Sequence, residues 1–209
     1  CGSETSASPS DFEVKLEILD LSTLDSDSPR VTDLGPVLPG LVPGGSPAWS
    51  PDGTSLAIDE MCLECPQGQT SGITVHPVDG SEPHRVVVSD LSAGPDVAFA
   101  RPDSLYVDAS IIEDFVRIGL VPTDVRTPTA LKDAPVAFEV TDAYEVQSLS
   151  TLAGANAPGL LAVVERKEST NGAGDAQIFV EGADSAPRIV ASDVVNAVWI
   201  PGTTASDLR

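Results

Sequence analysis

The sequence predicts an all-β fold built from a repeated four-stranded antiparallel meander. Three observations carry this prediction. Turn-forming residues are frequent, with Gly 17 and Pro 18 among 209 residues, a punctuation that suits short strands better than long helices. Between the turns lie short runs that are apolar or alternate in polarity, as half-buried strands do. Similar hairpins also return about every fifty residues, a period that marks repeat architectures. Hydrophobic residues make up 41% and aromatic residues only 4%, so the predicted core is mostly aliphatic.

Residues 1–11 open with Cys1-Gly2-Ser3-Glu4-Thr5-Ser6-Ala7-Ser8-Pro9-Ser10. They are small, polar and aperiodic and read as a flexible tether. Residues 12–209 read as one β domain. Its first element is a hairpin, residues 14–21 followed by Pro29-Arg30-Val31. The clearest unit comes next. Ala48-Trp49-Ser50 is a short strand. Pro51-Asp52-Gly53 is a turn, because proline presets φ and glycine accepts the positive φ that other residues resist. Residues 55–59 and 73–78 are the second and third strands, Asp79-Gly80 turns the chain again, and residues 84–89 are the fourth.

The same pattern recurs. Val97-Ala98-Phe99-Ala100-Arg101-Pro102-Asp103-Ser104-Leu105-Tyr106-Val107 echoes the first hairpin, with Phe99 standing 50 residues after Trp49. Trp199 stands 100 residues further on, and residues 147–152 with 157–164 occupy the intermediate position. The outer hairpin recurs as residues 115–121 with 128–131, and as residues 177–180 with Pro187-Arg188-Ile189-Val190. The chain thus opens on an outer hairpin and closes on an inner strand. Pairing the two would close a ring and remove exposed strand edges.

The Trp49-Ser50-Pro51-Asp52-Gly53 and Asp79-Gly80 turns resemble the repeat of TolB-type β-propellers, where such turns join the first two and last two strands of a blade. The resemblance implies a β-propeller of about four blades, as a small closed ring, an incomplete ring capped by a partner, or a fragment of a larger one. A pair of immunoglobulin-like sandwiches would also supply many short strands but would not explain the fifty-residue spacing. The first ten residues resemble the start of a mature bacterial lipoprotein. That resemblance implies lipid on Cys1 and an extracytoplasmic chain anchored at the cell membrane, on its periplasmic or outer face. Acyl chains hold such an anchor by about 0.8 kcal/mol per buried methylene.

Acidic residues number 32 against 11 basic, for a net charge of −21. A surface of that sign repels nucleic acid and anionic lipid, so membrane association would come from Cys1. No apolar run approaches the roughly 20 residues of a helical membrane span. The acid is expected on turns such as Asp25-Ser26-Asp27, Pro51-Asp52-Gly53 and Asp79-Gly80-Ser81-Glu82, as a solvated rim. Asp52 and Asp103 are expected to cap their turns by side-chain hydrogen bonds. Asp25, Asp27 and Asp33 lack EF-hand spacing and read as solvated turn carboxylates.

Cys62-Leu63-Glu64-Cys65 is followed by His76 and His84, an order that invites zinc. The expected strand geometry opposes it. At about 3.3 Å per residue, the cysteines and histidines would stand roughly 10 Å or more apart, too far for one metal. The preferred reading is a Cys62–Cys65 disulfide, which fits the oxidising compartment that the lipoprotein resemblance implies. Zinc and a redox-active pair remain as alternatives. His84 reads as a solvated strand-edge residue, and His76 as packed on Pro77 or on the surface. There is no Gly-x-Ser-x-Gly element,. Asn171-Gly172-Ala173-Gly174-Asp175 precedes no lysine or helix, as a phosphate loop would. One methionine and two histidines make a poor copper site,.

The expectation is a non-catalytic envelope lipoprotein without cofactor or metal, an interaction module or accessory subunit of a membrane complex. Its partner would carry a basic patch. A propeller that binds a small ligand or metal in its channel is the alternative, and a hydrolase is the weaker one.

Overall fold

A computed structural model describes residues 14–197 apart from 24, 26–27, 38–40, 46, 63–70, 91–94, 111–114, 142, 153–158, 167–172 and 182–186. The described residues form an all-β fold with no α-helix, arranged as four sheets. The first sheet is a hairpin of β1 (Lys15–Leu19) and β2 (Val31–Pro36). The second holds β3 (Leu41–Pro43) and β4 (Ala48–Trp49), both paired with β5 (Ser55–Cys62), then β6 (Ser71–Pro77) and β7 (His84–Ser89). The third begins with β8 (Val97–Arg101), β9 (Ser104–Asp108) and β10 (Phe115–Pro122). Next, β11 (Thr129–Ala130) leaves that sheet, and β12 (Val136–Thr141) returns to it. The fourth is a meander of β13 (Ala143–Thr151), β14 (Gly159–Arg166), β15 (Gly174–Val180) and β16 (Arg188–Val194).

Local chemistry explains the two best-marked turns. Between β4 and β5, Asp52 Oδ1 accepts hydrogen bonds from Ser50 Oγ at 2.7 Å and from Thr54 N at 3.1 Å. Gly53 sits at φ +71° and donates to Ser50 O at 2.9 Å. Between β6 and β7, Asp79 Oδ1 accepts from Ser81 N at 2.9 Å, and Gly80 takes φ +80°. Both glycines occupy the left-handed region that a β-carbon disfavours. The Asp103 turn is weaker, with Ser104 Oγ at 3.5 Å as its side-chain contact. Asp33 lies within β2 instead of a turn, its Oδ1 accepting from Gly35 N at 2.8 Å.

The sheets pack face to face in chain order. Leu16, Ile18 and Leu34 of the first meet Leu56 and Ile58 of the second. The opposite face of the second presents Ile73, Val75, Val86 and Val87 to Phe99, Leu105 and Val107 of the third. The reverse face of the third sets Ala98, Tyr106, Val116 and Ile118 against Val146, Leu160, Ala162 and Phe179 of the fourth. Full burial of each large aliphatic side chain contributes about 1.5–3 kcal/mol. Phe138 bridges the last interface, its ring centroid 5.6 Å from Tyr106 and 5.0 Å from Phe179. Thr151 Oγ1 also donates to Phe99 O, and the Arg101 guanidinium pairs with Glu181.

One expected strand is corrected. Residues 128–131 do not close the outer hairpin with β10; β12 does, with Val116 opposite Val140 and Ile118 opposite Phe138. The six residues of β12 offer β10 a longer ladder than the two of β11 can, so they win the pairing. The shorter segment crosses over and pairs in parallel with β7, where Leu131 is buried in the core between the second and third sheets. The first sheet contains two strands among the described residues, and the inner strand expected at Trp199 lies outside them.

Candidate functional site

The inner strands converge on a cavity of about 690 Å3. Its walls are Gly44, Gly45 and residues 47–51, residues 96–98, residues 147–151, and Asn196 with Ala197. These are the openings of the second, third and fourth sheets and the stretch just before Trp199. The fifty-residue repeat has therefore brought its equivalent positions together around one space.

The cavity is acidic. Asp96 stands on its wall, and its pKa is pushed up to about 7, first by burial and then by the charges of Asp108, Asp59 and Glu145. Asp108, at the end of β9, is raised to about 6 by burial, against the opposing hydrogen bonds from Ser110. Asp59 in β5 is raised by burial too, while its Oδ1 accepts from Gly45 N at 2.9 Å. Glu145 in β13 is raised by burial and by Glu165. The Asp59 carboxylate lies so close to Gly44 that a β-carbon there would collide with it. Among the described residues, Asp96 is the one carboxylate in the lining, and Asp59, Asp108 and Glu145 lie behind it, close enough for their charges to raise its pKa. Among the same residues, no lysine, arginine or histidine lines the cavity.

The remaining lining is mixed. Trp49 is 48% exposed, and its pairing with Leu56 sets its side chain on the face of the second sheet toward the first, opposite to Asp59. Val97, Ala98 and Ala197 are apolar, while Gln147, Ser148 and Ser150 supply polar groups. The Ser148 hydroxyl oxygen is buried and makes no hydrogen bond.

Of the residues singled out from sequence, Trp49, Ser50 and Pro51 line this cavity, and Asp52 and Gly53 form the adjoining turn. Cys1 and Cys65 lie outside the described residues; Cys62 ends β5, and its side chain lies outside them too. The surface placement of His76 and the solvation of His84 are corrected. His76 is buried, 2% exposed, on the face of the second sheet that meets the first. Burial lowers its pKa, against the opposing charge of Glu60. His84 is partly buried on the opposite face, paired with Val75, and its Nε2 donates to Thr123 O at 2.6 Å. The two rings therefore point away from each other across one sheet. Among the described residues no three metal-ligating side chains come together.

Sequence reasoning missed the inward-facing acids by placing acid on the turns. Asp59, Glu60 and Asp175 are all buried. Glu60 is held by Thr74 Oγ1 and Arg85 Nη2, each at 2.8 Å from its Oε2. One signal was available. Leu56-Ala57-Ile58-Asp59 and Leu105-Tyr106-Val107-Asp108 place an aspartate at matching points of successive units. The chain matches no known protein-family model, and no curated protein matches it.

Proposed function

We propose that the chain is a non-catalytic binding module of the cell envelope. In this reading it is tethered through lipid on Cys1, and its four sheets are blades of a small TolB-type β-propeller. Docking onto an integral membrane or envelope protein is its role. The observation that carries the reading is the convergence of four repeat openings on one acidic cavity. That arrangement suits a channel mouth at which a partner docks. The lining also lacks a nucleophile beside a histidine base among the described residues, as acyl-transfer chemistry would need. The test is capture from detergent-solubilised membranes of the source cells, with Cys1→Ala in parallel. A defined partner recovered with both forms, and membrane association lost only in Cys1→Ala, support the reading. Recovery of no partner with either form overturns it. A small ligand in the same cavity is the second reading. The volume favours it, because ligand pockets span about 300–1,000 Å3.

A further inference from the structure

We propose that the first sheet is an acid-released cover. On acidification the β1–β2 hairpin lifts from the second sheet, because His76 beneath it gains a proton that the closed interface cannot pair.

His76 stands on β6 opposite Leu56 of β5. Alternation along the strands sets it on one face with Leu56, Ile58, Glu60 and Thr74. On that face Leu16, Ile18 and Leu34 of the first sheet cover Leu56 and Ile58. Both nitrogens of the buried His76 ring are shut from water, and neither makes a hydrogen bond. A neutral imidazole leaves one donor unpaired there. An imidazolium leaves two, together with a charge.

The neighbouring charges do not supply a partner among the described residues. Glu60 pairs with Gly72, four residues along the ladder from the Leu56–His76 pair, or roughly 13 Å of backbone. Its Oε2 already accepts from Thr74 and Arg85. Arg85 stands opposite Thr74 and adds positive charge to the same face. His84 of β7 opposes a second positive charge from the other face. Asp52 and Asp79 sit in exposed turns at the strand ends, held by their own hydrogen bonds. Lys15, Glu17 and Asp33 of the first sheet are exposed on its outward face. Burial therefore outweighs the Glu60 charge and the Leu34 main chain, which favour the proton.

The hairpin is the part that gives way. It has two strands among the described residues, and a lone two-stranded hairpin is marginal in water. It is held by Leu16, Ile18 and Leu34, and by Val37 packed with Leu41. The second, third and fourth sheets share larger cores and the cross-sheet links His84–Thr123 and Arg101–Glu181. Release bares Leu56 and Ile58 beside Trp49, an apolar face that the molecule covers at neutral pH.

The experiment is hydrogen exchange of the full chain read by mass spectrometry at pH 7.5 and 5.0, at one ionic strength and with rates corrected for intrinsic exchange. The open hairpin leaves an ordinary histidine, which binds its proton more tightly than the closed form does. Opening therefore grows as pH falls below about 6.5, by at most roughly thirtyfold at pH 5.0. Peptides from β1 and β2 should exchange at least fivefold faster at pH 5.0, while those from β9 and β14 keep their protection. His76→Leu and His76→Gln should each abolish the difference. Unchanged protection of β1 and β2 in the wild type would overturn the proposal, whatever the variants do. So would equal loss from β9 and β14, which is global unfolding, or a full response in a folded variant, which assigns the proton to another group.

Discussion

Asp96→Asn should stabilise the protein at neutral and alkaline pH. The carboxyl is mostly buried, and its pKa is raised from 3.8 to about 7. At 1.36 kcal/mol per pKa unit, the folded state disfavours that anion by roughly 4 kcal/mol. Asparagine removes the charge but still buries a polar amide, which returns part of the gain. A net increase of about 1–2 kcal/mol at pH 8 is expected, or roughly 3–6 °C in Tm for a domain of this size. The sign follows from proton linkage. The folded state binds the Asp96 proton more tightly than the unfolded chain does, so this residue costs stability as pH rises from about 4 through 7. The gap between variant and wild type should therefore be small near pH 4 and complete by pH 8. Thermal unfolding followed by circular dichroism across that range measures it. Equal stability at pH 8, or a less stable variant, would refute the account of Asp96 as a buried anion among like charges.

His76 titrates in the opposite sense. Burial lowers its pKa below the ordinary 6.5, so wild type should lose stability as pH falls below about 6.5. His76→Leu should flatten that limb in the same unfolding series. Phe99→Ala should cost about 3–5 kcal/mol in urea unfolding, because Phe99 is fully buried between the second and third sheets. Glu60→Ala should cost about 3–5 kcal/mol in the same assay, because it breaks a buried pair with Arg85,. Gly53→Ala should cost about 1 kcal/mol by placing a β-carbon at positive φ,.

The repeat was legible because turns are set by local chemistry. Pro51-Asp52-Gly53 and Asp79-Gly80 specify their own backbone, and both turns form as read. The inner strands β4, β8 and β13 follow the fifty-residue period for the same reason. What failed was long-range. Pro128 copied the proline that precedes the other outer strands, yet the choice between residues 128–131 and 136–141 depended on which segment could pair with β10 over more residues. The three-residue strand β3 was missed because Pro43 and Gly44 mark its end as loop. The buried acids were hidden for a related reason. An aspartate that continues a strand looks alike in sequence whether the next sheet covers it or water does, and Asp59 and Asp108 are covered.

The central claim is that the acidic cavity is where a partner docks. A photo-crosslinking amino acid placed at position 47, an exposed residue of the lining, tests it most directly, with position 21 as control. Leu21 is 72% exposed and lies beyond β1 on the first sheet, outside the residues that line the cavity. Irradiation of membranes that carry each form, followed by mass-spectrometric mapping, reads the contact at residue level. The account predicts an adduct at position 47 to a peptide bearing arginine or lysine, and none at position 21. An adduct at position 21 alone, or none at position 47 while a partner is still captured, would contradict it.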